Sequence, residues 1–100
     1  MAKFKVEWSI DARLDLLDIL EFYLMRNGTS AYSRKLNTLI NEGIHLIAKN
    51  PLIGVQTDIP EARALISGDY QIIYMITGKV LLIVMVWDSR RNPENKRLNH

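Results

Sequence analysis

The chain has 100 residues, 48% of them apolar and 24% charged, which is enough material for one core-forming domain and excludes a disordered or low-complexity chain. It contains no cysteine, so disulfides, thiolate catalysis and cysteine-based metal sites are ruled out, in keeping with a reducing compartment. Net charge is only +2 but uneven: residues 1–26 carry four basic and five acidic side chains, residues 79–100 five basic and two acidic, so the positive end is the C-terminal one.

The first residues, Met1 to Trp8, lack the apolar core of a signal peptide, and the longest apolar run, residues 80–87, is far short of the roughly 20 residues that span a bilayer. A cytoplasmic location without membrane contact is the expectation. Phe4, Val6 and Trp8 alternate with Lys3, Lys5 and Glu7, the period of two of a strand with one buried face. Ser9 or Asp11 then caps a helix whose apolar stripe is Ala12, Leu16, Ile19, Leu20 and Tyr23, flanked by Leu17 and Leu24. Asn27-Gly28 ends it. Thr29 or Ser30 starts a second helix with Tyr32, Leu36, Leu39, Ile40, Gly43, Ile44 and Ile47 on its apolar face, and Asn50-Pro51 stops that one.

Pro51, Gly54 and Pro60 mark residues 51–61 as a connector without regular structure. Three strands follow, Ala62–Ile66, Tyr70–Ile76 and Val80–Trp87, joined by Ser67-Gly68-Asp69 and Thr77-Gly78-Lys79, whose glycines suit tight antiparallel turns. The order is β-α-α-β-β-β over residues 1–100, one domain. Its fold class is α+β, a two-helix hairpin on one face of a small, mainly antiparallel four-stranded sheet.

Two helices cover one face only. Yet Tyr70, Ile72, Tyr74 and Ile76 on one side of their strand are matched by Ile73 and Met75 on the other, and Val80–Trp87 is apolar on both sides. Two accounts of the cover for the second face stand side by side: the termini and the 51–61 connector, or a partner chain, since monomers seldom expose large apolar patches. Ile73, Met75, Ile83, Met85 and Trp87 are the candidate contacts with such a partner.

Catalytic constellations are scarce. There is no Gly-rich phosphate loop and no His/Asp/Glu spacing that recommends a metal, so no cofactor is expected. His45 falls on the polar face of the second helix, His100 is the last residue, and Ser9 and Ser89 have no histidine partner. What remains is the polar cluster that begins where the last strand ends, Asp88-Ser-Arg-Arg-Asn-Pro93, together with Arg63 and Gln71. If Arg63, Arg90 and Arg91 converged on one edge, three guanidinium forks would suit phosphates or an acidic peptide.

Several stretches resemble the ParE/RelE toxins of bacterial type II toxin-antitoxin modules. They are Trp8-Ser9 leading into Ala12-x-x-Asp15-Leu16 with Ile19 and Tyr23, the Asn50-Pro51-x-x-Gly54 step, Tyr70-Gln-Ile-Ile-Tyr74, and Val86-Trp-Asp-Ser-Arg-Arg-Asn-Pro93. The resemblance implies a growth inhibitor neutralised by a cognate antitoxin, in a heterotetramer or larger complex, with a C-terminal antitoxin segment wrapped on the toxin. RelE-like members cleave mRNA on the ribosome with basic residues and a late tyrosine. Here Gln71 stands where such members commonly carry Arg, no Lys pair precedes Ala62, and no Tyr follows Tyr74. ParE-like members poison DNA gyrase by binding, and the long helical hairpin and the Pro-x-x-Gly step resemble theirs. The resemblance therefore favours gyrase, with ribosome-dependent mRNA cleavage second and a non-toxic binding module or corepressor third. Arg63, Gln71, Asp88, Arg90 and Arg91 are the candidate contacts to the target, none of them firmly catalytic.

Overall fold

A computed structural model of the chain describes residues 4–90. The elements are β1 (Lys5–Trp8), α1 (Ile10–Asn27), α2 (Ala31–Lys49), β2 (Val55–Gln56), β3 (Ala62–Ser67), β4 (Tyr70–Thr77) and β5 (Val80–Asp88). They form one sheet in the order β1-β5-β4-β3-β2, with β1 parallel to β5 and every other pair antiparallel. The sheet thus has five strands, not four. The extra one comes from the connector, where Val55 and Gln56 pair with Ala64 and Arg63, a stretch too short to show any periodicity.

Local chemistry sets the helix ends. The Ser9 hydroxyl accepts from the Ala12 amide at 3.0 Å, satisfying one of the free donors of the first turn. Gly28 adopts φ 72°, a left-handed conformation that glycine enters without a steric penalty, and its amide donates to the Leu24 carbonyl at 3.0 Å. The Ser33 hydroxyl on α2 donates to the Leu20 carbonyl at 2.7 Å and ties the two helices together.

Because β1 enters beside β5, the last strand is paired on both sides and lies inside the sheet. The main core forms between the helices and one face. Ala12, Ile19 and Tyr23 of α1 and Leu36, Ile40, Ile44 and Ile47 of α2 pack on Tyr70, Ile72, Tyr74, Leu81, Ile83 and Val86. A smaller cluster of Ala62, Ala64, Ile73, Met85 and Trp87 occupies the second face, with Ile59, Met75 and Val84 packed against it. Its five central residues are buried within the chain, with Ile59 of the connector among their cover.

The register of β4 on β5 slips once. Ile73 pairs with Met85 but Tyr74 pairs with Ile83, so Val84 is an extra residue on β5, a β-bulge. The slip inverts the alternation. Leu81 and Ile83 face the helices before it, and Val86 and Asp88 face them after it. Ile83 therefore does not share a face with Met85 and Trp87, as strict alternation requires. It is wholly buried under the helices.

Candidate functional site

Asp88 is the only charged side chain buried among the described residues. It sits at the end of β5, and the bulge is what turns it toward the helix layer. There the Tyr23 hydroxyl of α1 donates to its Oδ2 at 3.0 Å and the Arg90 amide donates to its Oδ1 at 3.0 Å. The turn after β5 is fixed again by the Ser89 amide, which donates to the Asp69 carbonyl at 2.8 Å.

Arg90 folds back over this cluster. Its Nη2 donates to the hydroxyls of Tyr32 and Tyr70, which lie 3.2 Å from each other, and its Nε lies 3.4 Å from Asp69 Oδ2. The guanidinium carbon is 5.2, 5.7 and 5.5 Å from the ring centres of Tyr23, Tyr32 and Tyr70, within cation–π range of all three. Tyr23 and Tyr32 meet edge to face at 5.0 Å. α1, α2, β4 and β5 thus each contribute to one lock on the C-terminal end of the last strand.

Electrostatics decide what this lock can do. Among the described residues one cation stands within 4.0 Å of two carboxylates, Asp69 and Asp88, so these side chains carry more negative than positive charge and do not by themselves suit a phosphate. Burial, and then donation to Asp88, pushes the Tyr23 hydroxyl above its ordinary value of 10.0. Burial and the bond with Tyr32 push Tyr70 up as well, while the bond to Tyr32 raises the Arg90 guanidinium. The two tyrosines stay protonated at neutral pH, which suits donors in a fixed network rather than general bases.

Arg63 stands elsewhere. It faces the helix side of β3, and its Nη1 donates to the carbonyls of Gly54 at 2.7 Å and Leu52 at 3.3 Å. Beside it Tyr74, with no exposed surface, accepts from the Gly54 amide at 2.9 Å and donates to the Pro51 carbonyl at 2.6 Å. Only glycine fits at position 54, since a Cβ would lie 2.7 Å from the Tyr74 hydroxyl. Arg63 lies level with Tyr74 and Ile83, whereas Arg90 folds back onto Tyr70 at the far end of β5, about 14 Å away by strand rise. The two arginines do not converge. Arg91 lies outside the described residues. Gln71 faces the second side of the sheet, opposite Trp87 and Ile66.

Of the partner-surface candidates, Ile73, Met85 and Trp87 are buried, Met75 is half-buried, and Ile83 belongs to the other face. Sequence reasoning missed two features. The first is the tyrosine lock, whose signal was Asp88 closing an eight-residue apolar run. The second is a solvent-facing apolar stripe on α1, on which Ile10, Leu14, Leu17 and Met25 are 78%, 57%, 62% and 78% exposed. Among the described residues no His/Cys/Asp/Glu group could hold a metal ion, and no helix is long and apolar enough to cross a membrane.

This α+β architecture is that of known toxins. The structure is similar to the ParDE system of P. aeruginosa, with a TM-score of 0.76 and 20% identity over 86% of this chain and 96% of that one. It is also similar to the RelBE2 toxin-antitoxin complex of Mycobacterium tuberculosis (TM-score 0.63, 17% identity, 87% and 99% covered) and to the DinJ-YafQ complex of E. coli (0.52, 17%, 90% and 97%). No curated protein matches the chain in sequence. The profile of the ParE toxin of type II toxin-antitoxin systems matches residues 6–93. The chain belongs to the ParE toxin family.

Proposed function

We propose that the protein inhibits growth in the cytoplasm by binding DNA gyrase, and that an antitoxin encoded beside it keeps it silent. One observation carries the preference for binding over RNA cleavage. The second face of the central strands presents Ala62, Ala64 and Ile66 from β3, Gln71, Ile73 and Met75 from β4, and Met85 and Trp87 from β5, with no charged side chain among the described residues. Cutting a phosphodiester requires cations or donors aimed at the developing charge. Arg63 is engaged by loop carbonyls on the other face, and Arg90 is held among tyrosines and carboxylates.

Inducible expression without antitoxin tests the proposal. Growth arrest is expected, with accumulation of gyrase-linked broken DNA and intact transcripts. Purified protein should likewise trap cleaved plasmid only when gyrase is present. Transcripts cut at ribosomal A-site codons would transfer the function to RNA cleavage, and unimpaired growth would leave a binding module without a poison's activity.

A further inference from the structure

Arg90 fills a cage that is framed without its side chain. The Tyr23 hydroxyl is held by Asp88 at 3.0 Å, the Tyr32 and Tyr70 hydroxyls meet at 3.2 Å, and the rings of Tyr23 and Tyr32 pack edge to face at 5.0 Å. The main chain completes the frame, the Arg90 amide donating to Asp88 and the Ser89 amide to the Asp69 carbonyl. None of these contacts uses the guanidinium. Tyr23, Tyr70 and Asp88 are buried, so the walls belong to the rigid layer, whereas the arginine that closes the mouth is exposed.

The cage has a chemistry of its own. Three tyrosine rings direct their electron-rich faces at one point, 5.2, 5.7 and 5.5 Å from the ring centres, and Asp69 and Asp88 stand beside it. With the Arg90 side chain removed, the described side chains that line the space are aromatic or anionic, a combination that attracts an organic cation and repels an anion. Shape selects further. Nη2 donates to the Tyr32 and Tyr70 hydroxyls while Nε faces Asp69, so the acceptors are laid out along a planar donor fork. An ammonium group matches the charge but not the fork.

We infer that the cage is a guanidinium-binding site for an arginine on a protein partner, and that Arg90 occupies it in cis when no partner is bound. Nothing in this depends on which target the toxin poisons. Arg90 is tethered beside its own site, where its effective concentration is on the order of millimolar or higher, so free arginine is a poor competitor. An arginine on a chain that makes further contacts competes well, because those contacts offset the loss of the cis pair. The exchange turns Arg90 out toward solvent beside the partner, where its charge is available for a second ion pair. One site thereby couples partner binding to the exit from β5.

The test uses the full chain with Arg90→Ala, which empties the cage and keeps its main-chain contacts. N-acetyl-arginine amide, standing for an arginine within a chain, should bind this variant in calorimetric titration. It should also raise Tm by about 5 °C, as a ligand at several times its Kd does for a domain of this size. The wild type should bind the same probe at least about 100-fold more weakly, since Arg90 competes. Tetramethylammonium, a cation without donors, should give less than half the rise, sodium chloride none, and Tyr32→Leu added to Arg90→Ala should abolish it. Should Arg90→Ala not fold unaided, Arg90→Gln carries the same titration. Absence of binding to the emptied cage overturns the site, and equal binding by the wild type overturns Arg90 as its occupant. An equal rise with tetramethylammonium overturns the guanidinium class. A rise that survives Tyr32→Leu places the probe elsewhere and overturns the cage. Free arginine binding more tightly than the amide overturns the protein partner in favour of the amino acid.

Discussion

At one end of the sheet, Tyr74 and Arg63 bind backbone: the Pro51, Leu52 and Gly54 carbonyls and the Gly54 amide, in a site with no exposed tyrosine surface. At the other end, Tyr23, Tyr32, Tyr70 and Arg90 bind each other and two carboxylates, with the arginine side chain 43% exposed. All four tyrosines of the chain are spent this way. The first end fixes a connector with neutral partners and behaves as core. The second fixes the exit from β5 with charges and open rings, and should respond to pH and, weakly, to salt. Arginine at a strand end therefore does not by itself signal a target contact, since both arginines here secure the fold first.

The contrast breaks most sharply at Tyr74. Tyr74→Phe leaves the buried Gly54 amide without its acceptor and the Pro51 carbonyl without its donor, which should destabilise the fold by about 3 kcal/mol. For a domain of this size that is a fall of roughly 10–20 °C in Tm, readable by calorimetry. Gly54→Ala should lose somewhat less, about 1–3 kcal/mol, by forcing a Cβ against the same hydroxyl. A loss under about 0.5 kcal/mol for Tyr74→Phe, the range of a surface change, would show that this end is not the rigid one.

Alkaline pH should act on Tyr23 and Tyr70 at the other end. Tyrosine in the unfolded chain ionises near pH 10, and Tyr23 and Tyr70 are held above that, mainly by burial, so the folded chain keeps protons that the unfolded chain releases. The stability they lend is fully present below pH 10 and falls as pH rises past it, by up to about 1.4 kcal/mol per pH unit for each tyrosine. Urea midpoints at about pH 9 and about pH 11 measure the fall, and Tyr23→Phe with Tyr70→Phe should remove most of it. An equally steep fall in the double variant would take the lock out of the account.

Much of this was legible in the chain and some of it was not, for physical reasons. Periodicity and turn chemistry place both helices and the strands Tyr70–Thr77 and Val80–Asp88 to within a residue, because Gly28, Pro51, Gly68 and Gly78 punctuate them. The bulge at Val84 was invisible: a run of eight apolar residues has no alternation from which to tell which one is doubled, and so Ile83 was put on the wrong face. The tyrosine lock joins residues 23, 32, 70, 88 and 90, which only the folded topology brings together. The outer stripe of α1 was masked by its own composition, since apolar residues on both sides of a helix blur the single stripe that sequence reading seeks.

Replacing Arg90 sharpens the comparison further. Arg90→Met removes two hydrogen bonds to tyrosine hydroxyls and the cation over three rings, an expected loss of about 1–2 kcal/mol in denaturant melts. Arg90→Lys keeps the charge but not the planar fork, and should recover less than half of it. Growth inhibition then separates two roles. If Arg90 only secures β5, toxicity should follow stability across both variants. Loss of toxicity in Arg90→Lys at near-normal Tm would make it a target contact as well.

Salt should move the molecule least. The Arg90–Asp69 pair is 43% and 56% exposed, so it belongs with surface pairs worth about 0–1 kcal/mol and is largely screened at about 1 M salt. Rings and hydroxyls around Arg90 keep their geometry under screening and Asp88 is buried, so the exposed Arg90–Asp69 pair is the part of the lock that salt should reach most. Comparing wild type with Asp69→Asn cancels the general effect of salt on apolar burial, and the difference should change by less than about 0.5 kcal/mol between low and high salt. A change above about 1 kcal/mol would mean that the ion pair, and not the aromatic cradle, holds the end of β5, and the two ends of the sheet would then differ in charge rather than in packing.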